Sequence, residues 1–263
     1  MRPPVVLTVA GSDNSCGAGL QADLKTISAL GGYAQTAATC VVAEIPGKVS
    51  AIQPVRPGIV AGQIRLSLEA FPVRAAKTGM LFSTAIIRAV AAAFDERPCW
   101  PLVVVDPVMV ASSGDPLLKR GATEAYRRLL FPKAALVTPN LDELRMLTGR
   151  PCGNLGQMRS AGQHLVEEFG VPFLLKGGHL KGKSAVDLLV GPEGCEEFEA
   201  PFVRGAETHG TGCTYSAAIA TGLACGLSLR EAVAQGKSYI TAAIRNRHRW
   251  GRTSALNHRL EPA

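Results

Sequence analysis

The chain of 263 residues lacks an apolar run long enough to cross a membrane or to act as a secretory leader. Its first apolar stretch, Val5 to Ala10, is stopped by Gly11-Ser12-Asp13, far short of the ~20 residues a spanning helix needs. The expected compartment is therefore the cytoplasm. Charged residues are few, at 19%, and no long polar tract occurs, which excludes a disordered chain. The seven cysteines, Cys16, Cys40, Cys99, Cys152, Cys195, Cys213 and Cys225, include no C-x-x-C pair and are odd in number. That excludes a disulfide scaffold or a zinc site and fits reduced thiols. No internal repeat and no Gly/Ser-rich linker appears, so 1–263 reads as a single domain, with 240–263 a basic helix end and tail.

A nucleic-acid role is also disfavoured, although the net charge is +7. From residue 240 onward five arginines (Arg245, Arg247, Arg249, Arg252, Arg259) face Glu261 alone, so this tail carries four of the seven net positive charges. It holds one aromatic residue, Trp250, and no recognised nucleic-acid motif. A solvated C-terminal segment is the expectation.

What is present is an apolar content of 47%, enough for one sizeable α/β core. Strands are predicted at Val5 to Ala10, Tyr33 to Val42, Ala75 to Thr78, Leu102 to Asp106, Leu136 to Thr138, Phe173 to Leu175 and Ala185 to Val190. Helices are predicted at Ala18 to Leu30, Ile59 to Phe71, Ser83 to Phe94, Gly121 to Leu130, Leu141 to Leu147, Ala161 to Phe169, Thr214 to Cys225 and Leu229 to Asn246. This alternation implies a mainly parallel sheet with helices on both faces. Unalternating runs such as Leu102-Val103-Val104-Val105 suit strands buried on both sides. In such sheets the chemistry lies beyond the carboxyl ends of the strands.

Four motifs sit there. Thr208-His209-Gly210-Thr211-Gly212-Cys213-Thr214 leads straight into an apolar helical stretch. Glycines let the main chain approach a ligand, and the first helical N–H groups attract an anion. The bend can hold phosphate oxygens during transfer. Cys213 stands where the helix field favours thiolate; it either takes a proton from an attacking alcohol or helps hold the anion. A glycine C-cap with a buried thiol is the bland alternative, disfavoured because the glycines precede a helix. Next, Thr138-Pro139-Asn140-Leu141-Asp142-Glu143 pairs an N-cap asparagine with a glutamate at capping-box spacing. Capping and metal or phosphate binding are equally good readings. Asp106-Pro107 repeats the placement, and two such carboxylates can hold Mg²⁺ through water. Third, Lys176-Gly177-Gly178-His179 puts a lysine at a strand end within reach of a phosphate, unless it merely snorkels; His179 reads as a loop residue. Fourth, the glycine-lined turn from Gly11 to Gly19 fails both the dinucleotide and the P-loop spacing and suits contact with a flat ligand.

Taken in order, A-G-S-D…G-A-G-L-Q-A-D-L-K, A-K-T-G-M-L, V-V-D-P-V-M-V-A-S-S-G-D-P-L-L, T-P-N-L-D-E, L-L-K-G-G-H and T-H-G-T-G-C-T resemble the hydroxymethylpyrimidine and phosphomethylpyrimidine kinases of thiamine biosynthesis. The resemblance runs from about Leu7 to about Ile244 and implies a ribokinase-like three-layer fold. It implies that ATP, with Mg²⁺, phosphorylates the hydroxymethyl group of 4-amino-5-hydroxymethyl-2-methylpyrimidine and then its monophosphate, in a protein that is commonly a homodimer. It assigns Gly210, Thr211, Gly212 and Cys213 to the anion hole and Lys176, Asn140 and Thr208 to ATP. Asp106 and Glu143 go to the metal, and Gly11, Asp23, Glu44, Met80 and Val108 to the heterocycle.

Two departures stand out. The family usually reads A-Q-N-T after the second strand, whereas this chain reads Ala43-Glu44-Ile45-Pro46. An ionised carboxylate only accepts hydrogen bonds, whereas the amide also donates. Glu44 therefore either alters heterocycle preference or faces solvent on a shifted loop. Cys16 replaces a usual glycine, which is expected to be minor. A pyridoxal-type kinase on the same scaffold, and a binding protein without turnover, are the rival readings.

Overall fold

The computed structural model describes residues 2–110, 117–119, 121–178, 180, 184–203, 205, 209–251 and 253–259. Among these, a nine-stranded sheet runs in the order β3-β2-β1-β4-β5-β6-β7-β8-β9. Its strands are β1 (Val5–Asp13), β2 (Tyr33–Ile45), β3 (Lys48–Pro54), β4 (Val73–Thr78), β5 (Leu102–Val105), β6 (Leu136–Val137), β7 (Phe173–Leu175), β8 (Ser184–Gly191) and β9 (Gly194–Pro201). The six strands from β2 to β7 pair in parallel, while β3, β8 and β9 join antiparallel at the two edges.

Helices cover both faces, as the unalternating strands imply. Val103 and Val105 point into a core made with α2 (Pro57–Ala70), α3 (Thr84–Asp95), α5 (Leu141–Thr148) and α6 (Leu155–Phe169). Val6 and Val104 point the other way, against α1 (Gly19–Ala29), α7 (Thr211–Ala224) and α8 (Leu229–Arg245). The short α4 (Ala122–Ala125) continues as a wide π turn over Tyr126–Leu130. No helix among the described residues is long and apolar enough to cross a membrane.

The expected strands and helices are all present, but three features differ from the sequence reading. The edge strands β3 and β9 were not anticipated, because they carry Lys48, Ser50, Gln53, Glu196, Glu197 and Glu199 and bury little. Helix α6 starts at Leu155, six residues early, capped by the Asn154 side chain on the Gln157 N–H. The C-terminal segment is not simply a solvated tail. It forms a hairpin of β10 (His248–Trp250) and β11 (Thr253–Ala255), after which Leu256 and His258 are buried. The Tyr239 hydroxyl donates to the His258 carbonyl at 2.8 Å, and the Thr214 hydroxyl lies 3.0 Å from His258 Nε2. Burial pushes His258 down to about 4, so it packs as a neutral ring.

Candidate active site

A cavity of about 300 Å³ opens beyond the carboxyl ends of β1, β4, β5, β6 and β7. One end is walled by Gly11, Val42, Glu44, Met80, Val108 and His209, and the other by Ala185, Ala200, Phe202, Val203, Ile240 and Ile244. Between them lie Asp106, Asn140, Glu143, Lys176 and the bend Gly210 to Cys213.

The bend is fixed by sterics. Gly210 is the N-cap of α7 with φ 79°, and a Cβ there would lie 1.8 Å from the Gly17 carbonyl oxygen. Only glycine permits this contact between the loop after β1 and the start of α7. Helix α7 begins at Thr211, earlier than the sequence suggested, so Thr211, Gly212 and Cys213 form its first turn and their N–H groups have no intrahelical acceptor. A Cβ on Gly212 would lie 3.2 Å from Lys176 Nζ and 3.6 Å from Asp106 Oδ2. The bend, the lysine and the carboxylate are thus immediate neighbours.

Lys176 follows β7 and donates to Asp106 Oδ1 at 2.9 Å. Asp106 Oδ2 accepts from the Ser216 hydroxyl, 3.1 Å away on α7. Burial works against the Lys176 charge, but Asp106 and Glu143 hold its pKa above the usual lysine range. Asn140 caps α5 by accepting from the N–H groups of Asp142 and Glu143, both at 2.9 Å. Glu143 completes the capping box on the Asn140 N–H with one oxygen and accepts from the Met109 N–H with the other. Burial pushes Glu143 up to about 7, with Lys176 opposing and Asp106 adding to the rise. Capping and facing the cavity are therefore compatible here. The Met109 contact also steadies Val108, which sits at φ 30°, a costly conformation for a β-branched residue.

Cys213 differs from the expectation. Burial, with Asp23 and Asp106, pushes its thiol up to about 11, although Lys77 pulls it down. The sulfur is therefore a neutral thiol near neutral pH, and the helix field does not make it a thiolate. A thiol in that state is a weak hydrogen-bond donor facing the cavity.

Asp23 is also misplaced by the sequence reading. It does not line the cavity. It lies fully buried beneath it, bonded by Lys77 at 2.8 and 3.0 Å and by the Thr8 hydroxyl at 2.5 Å. Burial opposes the Lys77 charge, but the adjacent carboxylate keeps its pKa above the usual range. An internal pair of this kind survives because both charges are fully hydrogen-bonded. The remaining heterocycle candidates, Gly11, Glu44, Met80 and Val108, do meet at one end of the cavity. Glu44 is half-buried and faces it rather than solvent, and burial together with Asp13 pushes its pKa up. Thr208, His179 and the stretch 111–116 lie outside the described residues.

Several groups were not singled out from sequence. Asp13, at the end of β1, gathers the turn by accepting from the N–H groups of Ser15, Gly17 and Ala18 and contacts His209 Nε2 at 3.0 Å. Asp187 accepts from the Gly177 N–H and pairs with Lys237 at 2.6 Å. Cys16 adopts φ 59°, so the missing glycine leaves a strained turn. Gly177 to Ser184 spells the P-loop pattern, but it joins the antiparallel strands β7 and β8 rather than a strand to a helix, so the spelling has no phosphate-loop context.

Comparison with known proteins agrees with this geometry. The sequence model of the phosphomethylpyrimidine kinase family matches residues 13–257. The thiamine biosynthesis bifunctional protein ThiED of Geobacter sulfurreducens is 46% identical over 256 residues, 97% of this chain and 52% of that protein. This chain thus spans about half the length of that bifunctional relative. The hydroxymethylpyrimidine/phosphomethylpyrimidine kinase of Rhizobium meliloti is 42% identical, with 91% of this chain and 90% of that one covered. The fold matches an ADP complex of Bacillus subtilis pyridoxal kinase with a TM-score of 0.89 at 34% identity, covering 97% of each chain. The strand-end site, the glycine bend and the match over nearly the whole length place this chain in the phosphomethylpyrimidine kinase family.

Proposed function

We propose that the chain transfers the γ-phosphoryl group of ATP to the hydroxymethyl group of 4-amino-5-hydroxymethyl-2-methylpyrimidine, and again to its monophosphate. One observation carries this reading: the bend at Gly210 to Cys213 and Lys176 sit together between two separate apolar ends of one cavity. The end at Gly11, Met80 and Val108 suits a flat ring, and the end at Phe202 and Ile244 suits a nucleotide base.

In this reading the substrate hydroxymethyl and the γ-phosphate meet at the bend. The N–H groups of the first turn of α7 and the neutral Cys213 thiol donate to the oxygens that gain charge in the transition state. Lys176 adds a positive charge on the same side, held in place by Asp106, itself held by Ser216. Catalysis is then positioning plus charge stabilisation. Each oxygen of Asp106 and Glu143 already accepts a hydrogen bond. That suits a Mg²⁺ ion held through its waters better than one bound directly. Such an ion would neutralise charge on the ATP phosphates. With no basic side chain required at the bend, the alcohol proton leaves to the transferring phosphoryl oxygens or to water.

The test is transfer of label from γ-labelled ATP to the aminopyrimidine alcohol, with pyridoxine as the competing acceptor. The higher identity to the Rhizobium kinase than to the Bacillus pyridoxal kinase favours the pyrimidine. Phosphorylation of pyridoxine alone would overturn the assignment.

A further inference from the structure

Four threonines inside helices donate their hydroxyl to the carbonyl four residues back: Thr26 to Ala22 at 2.7 Å, Thr148 to Leu144 at 2.8 Å, Thr221 to Ala217 at 2.8 Å and Thr241 to Lys237 at 2.7 Å. Thr214, at the start of α7, does otherwise. Its hydroxyl lies 3.0 Å from His258 Nε2. The Gly210 carbonyl, four residues back, takes the Thr214 N–H at 2.9 Å. Thr214 directly follows Cys213, so this contact is made on the turn that presents the bend to the cavity.

Burial sets the direction of the bond. Thr214 is fully buried, and among the described residues its hydroxyl has no other partner. A buried hydroxyl places its hydrogen on an acceptor, and His258, a neutral ring, has one bare nitrogen. Thr214 therefore donates and Nε2 accepts. The ring's own N–H is taken by the Leu256 carbonyl.

His258 is itself held in place. Its carbonyl accepts from the Tyr239 hydroxyl on α8 at 2.8 Å. Leu256 belongs to the apolar core shared by α7 and α8, and the Asn257 N–H donates to the Ala243 carbonyl at 3.3 Å. The segment is thus fastened to α8 and reaches the start of α7 through one ring. His258 is no part of the cavity wall, so its route to the chemistry is Thr214. On the same stretch of α7, the Ser216 hydroxyl donates to Asp106 at 3.1 Å. Thr214 and Ser216 are two residues apart, roughly 200° around a helix, so the two bonds anchor opposite flanks and together resist rotation of the turn.

We propose that His258 is a positioning residue for phosphoryl transfer: by accepting from Thr214 it fixes the rotation of the first turn of α7, and with it the aim of the N–H groups of Thr211, Gly212 and Cys213 at the transferring group. The proposal rests on the kinase reading above and adds to it a residue outside the cavity.

The experiment compares kcat for transfer to the aminopyrimidine alcohol with the Kd for ADP, well below every variant's melting temperature. His258→Leu removes the acceptor, and Thr214→Val removes the donor while keeping the side chain's shape. Each lowers kcat roughly ten- to a hundredfold, the effect of a misplacement of about 1 Å. The Kd for ADP, which has no γ-phosphate to aim, stays at the wild-type value. The double variant falls no further than either single one, because both remove the same bond. His258→Gln offers an amide oxygen at similar reach and recovers most of the lost kcat. Asn154→Ala strips the cap from α6 away from the cavity; it lowers the melting temperature and leaves kcat unchanged, which separates positioning from stability. If His258→Leu does not fold, Thr214→Val and His258→Gln carry the test. Wild-type kcat in Thr214→Val, additive losses in the double variant, or a glutamine variant as impaired as the valine one overturns the proposal and leaves the kinase reading standing. Wild-type protein that transfers phosphate to neither the aminopyrimidine alcohol nor pyridoxine overturns that reading itself.

Discussion

Replacing Cys213 by serine and by alanine separates two roles that look alike in sequence. The thiol is pushed up to about 11, so at pH 8 only about 0.1% of it is thiolate. If thiolate were the base, kcat would rise about tenfold per pH unit from 7 to 10. Serine, which cannot ionise in that range, would lose nearly all turnover. A neutral donor behaves differently. Serine keeps an O–H at the same place, so Cys213→Ser retains kcat within about tenfold. Alanine removes one weak donor while the N–H groups of the first α7 turn remain. A loss of about 1–2 kcal/mol is expected, or about five- to thirtyfold in kcat, below the figure for a strong oxyanion-hole donor. ATP affinity should barely change in either variant. The assay is steady-state transfer to the aminopyrimidine alcohol from pH 7 to 9.5, with nucleotide binding measured separately. A flat wild-type kcat and an active serine variant support the donor role. A steep rise with pH together with a dead serine variant would refute it.

Other consequences are direct. Lys176→Gln removes the charge beside the bend and the lysine's hydrogen bond to Asp106, so kcat/KM for ATP should fall on the order of a hundredfold, read in the same transfer assay. Gly210→Ala places a Cβ 1.8 Å from the Gly17 oxygen and demands φ 79° of an L-residue; activity should vanish, and a lowered melting temperature should accompany the loss. Cys16→Gly relieves φ 59° and should raise unfolding free energy by up to about 1 kcal/mol in denaturant titration; a lower stability would show that the turn is not strained.

The parallel core was legible because strands buried on both faces leave unbroken runs such as Leu102 to Val105. Strand-end placement then pointed to Asp106, Asn140 and Lys176, which do converge. The edge strands were hidden because β3 and β9 have one free edge and little burial, so their residues follow no core pattern. Charge partners were hidden for another reason. Asp23 and Lys77 are 54 residues apart, and Asp13 and His209 are 196 apart. Lys77 in the apolar strand Arg74-Ala75-Ala76-Lys77-Thr78 was the available signal, since a lysine inside a buried strand requires an anion nearby. The protonation of Cys213 depends on surrounding charge and burial, and a helix-start position alone says nothing of either.

The most direct measurement is a crystal structure of the protein with the aminopyrimidine alcohol and a non-hydrolysable ATP analogue bound together. The predicted result is a γ-phosphate seated on the N–H groups of Thr211 to Cys213, beside Lys176, with the ring hydroxymethyl aimed at it from the Glu44 end. A γ-phosphate lying elsewhere, with the bend at Gly210 contacting neither ligand, would contradict the assignment.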